Sequence, residues 1–225
     1  MRTSWLKQQG KASCILFFAG WGMDPAPFKH IPVLEHDLLV IYDYNQLQTI
    51  DPYDLTNGRY DSLHLVTWSM GVWVAAAMIP HGNDSFASST AINGTLAPID
   101  DHNGIGLKTY DTMIDNFSAA TLEAFYLSMF SRKNEAELFI NNRPKRSHDD
   151  ILNELVSLKR LYSLQGPARD CYNRKIVGSR DRIFSARNQT RSWGKGNCTL
   201  LKVPHFPFYT WPSWDFIVSS RANSV

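Results

Sequence analysis

The 225-residue sequence predicts an α/β protein: a mostly parallel central sheet with helices on both faces and a helical insertion. Two observations carry this prediction. Short, fully apolar runs recur, each followed by a loop and a helical pattern, which is typical of a parallel sheet covered on both faces. Between about residues 95 and 170 this rhythm stops and the chain becomes helical. The predicted strands are Cys14–Ala19, Leu38–Tyr42, Leu63–Thr67, Phe86–Ile92, Tyr172–Val177 and Thr199–Val203.

Length and composition favour one domain, residues 1–225, with the insertion at about 95–170. Hydrophobic residues make up 44% of the chain, including 7 Trp, 9 Tyr and 12 Phe, which supports a large core and excludes intrinsic disorder. The longest apolar run, Val72–Ile79, is far shorter than the roughly 20 residues that cross a bilayer, so we expect no membrane span. Because Met1 is not followed by an apolar stretch with a cleavage site, the sequence predicts a cytoplasmic protein.

The three cysteines indicate neither a disulfide framework nor a metal site. Their number is odd, and their positions lack the spacing of metal ligands. Each lies in or beside a predicted strand, so we expect buried thiols at Cys14, Cys171 and Cys198.

The near-neutral net charge of +2 hides a strong asymmetry along the chain. Residues 1–131 hold 6 Lys/Arg and 13 Asp/Glu, whereas residues 132–191 hold 14 Lys/Arg and 7 Asp/Glu. Such a division indicates an acidic partner for the basic block. We expect no nucleic acid and no membrane among the partners.

Two helices are predicted within the insertion. The first has Ser118 as N-cap, and the second begins after Ser147 and ends at Gly166-Pro167. Apolar residues at positions 0, 3, 4, 7 and 8 give the first helix one apolar face. Either these helices pack as ordinary core elements, or they form a lid over a substrate cavity. The apolar residues of the first helix are Leu122, Phe125, Tyr126, Met129 and Phe130.

Ser69 is the strongest catalytic candidate, within Thr67-Trp68-Ser69-Met70-Gly71. The segment lies between an apolar strand and an apolar helix, the setting that holds an exposed serine on a strained turn beside a base. Small flanking residues are needed there. Gly71 meets this need, whereas Thr67 replaces the first glycine of the motif. The alternative is a serine that only caps the following helix.

An acid and a base follow Ser69 in the order typical of such serine enzymes. Asp181 lies after the fifth predicted strand and His205 after the sixth, where catalytic side chains gather in parallel sheets. Asp181 is therefore the predicted acid and His205 the predicted base, with Asp100 or Asp101 as the alternative acid. The other histidines all precede Asp181; they are His30, His36, His64, His81, His102 and His148.

Acyl transfer also needs two N–H donors for the developing oxyanion. Met70, directly after the serine, is one candidate. The other is Trp21, because the flanking glycines of Gly20-Trp21-Gly22 allow its N–H to turn inward. This loop lacks the spacing of a nucleotide-binding motif, so we expect no nucleotide cofactor.

Two motifs, Gly20-Trp21-Gly22-Met23-Asp24 and Trp68-Ser69-Met70-Gly71, connect the chain with a known family. With the segments around them, the chain resembles the α/β-hydrolase superfamily over essentially its whole length. More closely, it resembles the BioG-type pimeloyl-[acyl-carrier protein] methyl ester esterases of biotin synthesis. Other segments that fit are Leu16–Ala19, Tyr42–Tyr44, Val72–Trp73, Ile92–Thr95 and Val203–Pro207.

This resemblance implies a serine carboxylesterase that converts the methyl ester of pimeloyl-[acyl-carrier protein] to pimeloyl-[acyl-carrier protein] and methanol. Ser69 would attack the ester carbonyl, His205 would transfer the proton and Asp181 would hold the imidazolium. The N–H groups of Trp21 and Met70 would bind the oxyanion, and no metal or cofactor would be needed. Two alternatives remain: an acyl thioesterase or small-ester hydrolase on the same fold, and a catalytically silent binding module.

A carrier-bound substrate would need an apolar slot and a basic surface for the acidic carrier. Core packing or an ordinary solvated face would explain the same residues. The predicted slot residues are Trp21, Phe28, Leu122, Phe125, Tyr126, Met129 and Phe130, and the predicted docking residues are Arg132, Lys133, Arg143, Lys145 and Arg146.

Overall fold

The computed structural model describes residues 1–79 and 85–219, and within them seven strands form one sheet. The strand order is β1-β3-β2-β4-β5-β6-β7, with β1 antiparallel to β3 and every other neighbouring pair parallel. The prediction of an α/β protein with a mostly parallel sheet is confirmed. The strands are β1 Arg2–Lys7, β2 Ser13–Phe18, β3 His36–Tyr42, β4 Ser62–Trp68, β5 Ser88–Ile92, β6 Arg174–Gly178 and β7 Thr199–Leu201.

Six of these strands match predicted ones with shifted ends, but β1 is missing from the prediction. This strand is half-exposed along its length and pairs only with β3, at the edge of the sheet. An edge strand of this kind has no continuous apolar run, so its own residues carry little signal. Pairing with β3 determines its conformation.

In the described part of the chain, one or more α-helices follow each strand from β3 to β7, and a short 3-10 turn at Ala26–Phe28 follows β2. Four of the helices, α3 to α6, lie between β5 and β6, and residues 107–165 are called the helical segment below. The α-helices are α1 Pro52–Thr56, α2 Met70–Met78, α3 Leu107–Asp115, α4 Ala119–Ser128, α5 Lys133–Asn141, α6 His148–Gln165, α7 Ala186–Trp193 and α8 Trp214–Val218.

Both predicted N-caps of the helical segment are confirmed. The Ser118 side chain accepts a hydrogen bond from the Thr121 N–H, and the Ser147 side chain accepts one from the Asp150 N–H. The α6 helix ends at Gly166, whose φ of 71° suits glycine. One boundary is corrected: α4 ends at Ser128, so the last two residues of the predicted apolar face lie beyond the helix.

Aromatic side chains connect the helical segment with the core beneath the sheet's carboxyl ends. Phe206 contacts Phe139 and Phe130 of the segment, with ring centroids 5.2 and 5.3 Å away, and it stacks on Phe28 at 5.5 Å. Its N–H donates to the Met129 carbonyl at 3.1 Å. Because Phe206 follows His205, the helical segment packs directly on the loop of the predicted base.

The cysteines agree with the prediction in part. Cys14 and Cys171 are buried, and Cys198 is half-buried. Burial raises the pKa of the Cys14 thiol to about 12 and that of the Cys171 thiol to about 11, so both stay protonated near neutral pH. Within residues 1–79 and 85–219, none of the helices combines the length and apolar character needed to cross a membrane.

Candidate active site

Ser69 occupies the turn between β4 and α2 with a strained backbone, φ 58° and ψ −128°. Its side chain makes no capping hydrogen bond to α2, so the alternative interpretation of a simple helix cap is wrong. Close backbone packing surrounds the turn. A Cβ on Gly71 would lie 2.4 Å from the carbonyl oxygens of Phe18 and Ala19, and a Cβ on Gly94 would lie 2.3 Å from the Ser69 carbonyl oxygen. The predicted need for a small residue near Ser69 is met by Gly71, because any side chain at that position would clash with backbone atoms.

Thr67, which replaces the motif's first glycine, fits as the penultimate residue of β4. Its side chain is fully buried, and its hydroxyl donates to the Thr90 carbonyl oxygen of β5 at 3.3 Å. The β-branched side chain thus points into the sheet and leaves the turn at Ser69 unobstructed.

His205 lies between Ser69 and Asp181 in one buried chain of hydrogen bonds. Its Nε2 is 3.1 Å from Ser69 Oγ, and its Nδ1 is 2.9 Å from Asp181 Oδ2. The exposed fractions of the three residues are 5% for Ser69, 1% for His205 and 8% for Asp181. Residues from three separate loops therefore meet beyond the carboxyl ends of the strands, as their positions in the sequence predict.

Two residues that the sequence analysis did not select hold the His205 loop. The Asn93 side-chain amide donates to the carbonyl oxygens of Pro204 and His205 at 2.8 and 2.9 Å, and its oxygen accepts from the Gly178 N–H at 2.6 Å. The Trp68 indole N–H donates to the His205 carbonyl at 2.7 Å. Asn93 has a φ of 48°, and the Asn-Gly pair after a strand was the available signal.

Backbone and amide donors orient the Asp181 carboxylate. Oδ1 accepts from the N–H groups of Ile183 and Phe184 at 2.8 and 2.9 Å. Oδ2, which faces His205, also accepts from the Gln189 side-chain amide at 3.0 Å. Gln189 is fully buried and absent from the sequence prediction. These donors fix the orientation of the carboxylate beside the imidazole.

The alternative acids, Asp100 and Asp101, accept hydrogen bonds from backbone N–H groups close by in the chain. Asp100 accepts hydrogen bonds from the N–H groups of His102 and Asn103, and Asp101 accepts one from the Leu107 N–H. Within the part of the chain that the structure describes, neither carboxylate contacts His205. The geometry therefore favours Asp181 as the partner of the histidine.

The Gly20–Gly22 loop lies against the serine. A Cβ on Gly20 would lie 3.1 Å from Ser69 Cβ, and Gly22 has a φ of 74°. Neither the Trp21 N–H nor the Met70 N–H has a hydrogen-bond acceptor among the described residues. Both donors are thus available beside Ser69, as an oxyanion site requires.

The predicted slot residues divide into two groups. Leu122 and Tyr126 line a cavity of about 330 Å³ together with Ile151, and the half-buried Phe125 ring lies 5.0 Å from the Trp21 ring. Phe28, Met129 and Phe130 do not line this cavity, and their side chains are buried in the core. Exposed fractions are 0% for Phe28, 0% for Met129 and 4% for Phe130. Their slot role stays a prediction, because Leu122 and Tyr126, which line the cavity, are themselves only 5% and 3% exposed.

Four of the five predicted docking residues are exposed, and the fifth is not. Arg132, Lys133 and Arg143 have side-chain exposures of 65%, 91% and 56%, and Lys145 is also exposed. Only 3% of the Arg146 side chain is exposed, because it forms ion pairs with Asp43 and Glu154 inside the protein. The prediction of a docking role for Arg146 is therefore wrong.

Basic residues border two openings on the protein surface. Arg143 and Lys145 line the 330 Å³ cavity. Arg180 and Arg182 line a second opening with Ser131 and Asp181, beside the candidate acid. Part of the basic block thus lies next to the candidate site. His81, one of the other histidines, falls outside the described residues.

Comparisons with known proteins identify the family and the fold. A family model described as pimeloyl-ACP methyl esterase BioG matches residues 1–217. The crystal structure of BioG from Haemophilus influenzae superposes with a TM-score of 0.85 and 30% identity, covering 97% of this chain and all of that one. The putative non-heme bromoperoxidase BpoC from Mycobacterium tuberculosis, with a TM-score of 0.64 and 14% identity over 94% of this chain and 91% of its own, shares the α/β-hydrolase fold alone.

A curated relative from Bacteroides fragilis (strain 638R) is named malonyl-[acyl-carrier protein] O-methyltransferase. It is 37% identical over 186 residues, which are 82% of this chain. The matched part is only 37% of that relative, so the chain spans little more than a third of its length. The family model and the Haemophilus structure cover nearly the whole chain, and the chain therefore belongs to the BioG family of α/β-hydrolase fold proteins.

Proposed function

We propose that the chain is a serine esterase that hydrolyses the methyl ester of pimeloyl-[acyl-carrier protein] in biotin synthesis. The observation that carries this proposal is the hydrogen-bonded chain from Asp181 through His205 to Ser69, on a strained turn, in a member of the BioG family. A serine hydroxyl becomes nucleophilic when a base lies within hydrogen-bond distance and a third group orients that base.

In the first half of the reaction, Ser69 Oγ attacks the ester carbonyl carbon while His205 Nε2 takes the hydroxyl proton. Collapse of the tetrahedral intermediate breaks the bond to the methoxy oxygen, and the imidazolium returns the proton so that methanol leaves. In the second half, water attacks the acyl-serine with His205 again as base, and the free carboxyl and Ser69 are released. The Asp181 carboxylate stabilises the imidazolium in both halves.

The N–H groups of Trp21 and Met70 would stabilise the negative oxygen in each tetrahedral intermediate. Loss of one such donor costs about 10² to 10³ in kcat in enzymes of this kind. The position of Gly20 supports this role. A Cβ on Gly20 would lie 3.1 Å from Ser69 Cβ, so residue 21 directly follows a residue that lies beside the proposed nucleophile.

The Bacteroides relative helps to decide which bond is cleaved, the terminal methyl ester or the thioester to the carrier protein. An O-methyltransferase that acts on malonyl-[acyl-carrier protein] makes a methyl ester on a carrier-bound acid, and this chain matches part of that protein. Removal of the methyl group from the lengthened acyl chain is the complementary reaction. The relative's name therefore supports a terminal methyl ester as the substrate.

Substrate contacts would come from the helical segment and the loop beside it. We assign Leu122, Tyr126, Phe125 and Trp21 to the acyl chain, because these apolar side chains lie at the cavity or against the Trp21 ring. The helical segment would then act as the lid of a single domain. Exposed cations near the openings would attract the acidic carrier; they are Arg132, Lys133, Arg143 and Lys145.

The test is mass spectrometry of carrier-bound pimeloyl methyl ester after incubation with the enzyme. We expect loss of the methyl group with the thioester intact, no reaction with Ser69→Ala, and full activity with Ser88→Ala, a serine that hydrogen-bonds His64 elsewhere. Cleavage of the thioester instead would identify an acyl thioesterase. No cleavage of either bond, and no labelling of Ser69 by a fluorophosphonate, would identify a binding module.

A further inference from the structure

Glu154 of α6 is a carboxylate with no exposed surface. Its oxygens accept hydrogen bonds from three parts of the chain. Oε2 accepts from the Gly22 N–H at 3.1 Å and from the Arg146 guanidinium, and Oε1 accepts from the Tyr44 N–H at 3.0 Å. Burial of a carboxylate is unfavourable unless donors surround it, and these donors satisfy both oxygens.

The Gly22 N–H belongs to the loop that carries the proposed oxyanion donor. Gly20 lies beside Ser69 at one end of the loop, and at the other end the Gly22 N–H donates to Glu154. Between them, the Trp21 indole N–H donates to the Ile151 carbonyl oxygen at 2.8 Å. Residues 151 and 154 are both in α6, so one helix of the helical segment holds two of the three loop residues.

Tyr44 provides a second connection between Glu154 and this loop. Its N–H donates to Glu154, and its hydroxyl donates to the Ala19 carbonyl oxygen at 2.8 Å, directly before Gly20. Tyr44 is fully buried. The loops after β2 and β3 are thus joined through one side chain and one carboxylate.

Arg146 opposes the effect of burial on the Glu154 carboxyl group. Burial raises the pKa of Glu154, and the Arg146 guanidinium is the largest opposing influence, followed by the Tyr44 N–H. Arg146 also pairs with Asp43 Oδ1 at 3.1 Å, and Asp43 pairs with Arg2 at 3.0 Å. The cation that was expected at the surface therefore supports the carboxylate that holds the loop.

We propose that Glu154 is a positioning residue that holds the Gly20–Gly22 loop so that the Trp21 N–H is directed at the substrate oxygen. The inference rests on the proposed function and extends it from the hydrogen-bonded triad to α6. A donor set in place before the reaction lowers the barrier, whereas a loose loop must be ordered during it. Correct packing of α6 would thereby be a condition for oxyanion stabilisation.

The test is the Glu154→Gln variant, which keeps the shape but replaces one acceptor oxygen by a donor. We expect kcat to fall about 10- to 100-fold with KM within twofold, less than the loss of a whole oxyanion donor. The affinity for a trifluoromethyl ketone analogue of the pimeloyl terminus, which forms an oxyanion on Ser69, should fall by a similar factor. Unchanged kcat, or a raised KM at constant kcat, would overturn the proposal.

Asp37→Asn is the matched control. Asp37 is also a fully buried carboxylate that holds a loop, since it accepts from the N–H groups of Gln9 and Gly10 at 2.7 and 3.0 Å and from the Tyr60 hydroxyl at 2.9 Å. It lies at the amino end of the sheet. The variant should lose stability but keep kcat per active site, with active sites counted by complete fluorophosphonate labelling. An equal loss of kcat per site would mean that Glu154 is only structural.

Milder variants decide the matter if Glu154→Gln does not fold. Tyr44→Phe removes only the hydroxyl, which lies within hydrogen-bond distance of the Ala19 and Ile41 carbonyl oxygens, and Tyr60→Phe removes only the hydroxyl that bonds Asp37. We expect a several-fold loss of kcat at unchanged KM for Tyr44→Phe and none for Tyr60→Phe. Equal kcat in the two variants would contradict the proposal.

Assays of the same variants on p-nitrophenyl acetate distinguish a failure of the Glu154 proposal from a failure of the proposed esterase function. A wild-type chain that cleaves this ester but leaves the carrier ester intact would refute the proposed substrate, and the Glu154 comparison would still be decided on the acetate. A wild-type chain that cleaves neither ester and is not labelled would overturn both.

Discussion

The two ends of the sheet present similar side chains in different arrangements. At the carboxyl end, Ser69, His205 and Asp181 form one chain of hydrogen bonds. At the amino end, His64 Nδ1 lies 2.8 Å from the Ser88 hydroxyl, and His36 Nδ1 lies 2.8 Å from Asp215 Oδ1. The two imidazole rings at the amino end meet edge to face at 5.0 Å. Serine, histidine and aspartate thus occur at both ends.

Continuity is the first difference between the ends. One imidazole bridges serine and aspartate at the carboxyl end, whereas at the amino end the serine and the aspartate bond to different histidines. Burial, with a smaller contribution from the neighbouring His36 ring, lowers the pKa of His64 and so disfavours its protonated form. A base that cannot keep a proton would not activate Ser88.

Backbone geometry is the second difference. Ser88 begins β5 in extended conformation, but Ser69 has a positive φ on a turn between strand and helix. The N–H groups of Trp21 and Met70 beside Ser69 have no acceptor among the described residues. Proximity of a serine to a histidine is common to both ends, whereas the strained turn and the free donors lie at Ser69, which favours Ser69 as the proposed nucleophile.

The comparison predicts its largest effect for the two histidines. His205→Ala should lower kcat for the methyl ester by about 10⁴ to 10⁶, because loss of the base removes the function of the whole triad. His64→Ala should keep kcat within about twofold. Steady-state kinetics of methanol release would check both, and comparable losses in the two variants would remove the distinction between the ends.

A somewhat smaller loss is expected for the carboxylates. Asp181→Asn should reduce kcat by about 10³ to 10⁴, since the imidazole loses the partner that sets its tautomer. Asp215→Asn, at the amino end, should leave kcat unchanged. The same kinetic assay applied to Asp100→Asn and Asp101→Asn examines the alternative acid: if either loses more activity than Asp181→Asn, the assignment of Asp181 fails.

Charge reversal near the carboxyl end should have a moderate effect. The double variant Arg143→Glu/Lys145→Glu should raise KM for the carrier-bound ester about 3- to 10-fold at low salt with kcat unchanged, because exposed charges mainly change association. Arg59→Glu, an exposed residue before β4 at the other end, should leave KM unchanged. Initial rates at 20 and 500 mM salt provide the measurement, and a KM difference that persists at high salt would argue against electrostatic docking.

The smallest effect concerns stability at acidic pH. Burial, with a smaller contribution from His36, lowers the pKa of His64 from 6.5 to about 4. The unfolded chain binds this proton near pH 6.5 and the folded protein only near pH 4, so stability falls as pH decreases through that window. His64→Gln should flatten this part of the profile. Urea unfolding at pH 7, 6, 5 and 4 would show the difference, and parallel profiles for both proteins would contradict it.

Local features were predictable from the sequence because they depend on residues close together in the chain. The apolar runs predicted six strands, Ser118 and Ser147 were recognisable as N-caps, and Gly71 indicated a tight turn. Ser69, Asp181 and His205 each follow a predicted strand, so their positions beyond the strand ends were also predictable. Propensity, capping and steric restriction act within a few residues, which is the range that a sequence pattern reports.

Contacts between distant residues were decided only by the tertiary structure. The bond between Ser69 and His205 spans 136 positions, and the bond between Gly22 and Glu154 spans 132. The burial of Arg146 and the contacts of Asn93 likewise depend on partners that no local pattern specifies. A charged or polar residue has the same local signal at the surface as in the interior. Packing of the helical segment on the sheet supplies the buried partners, and these partners determine whether such a residue lies in the interior.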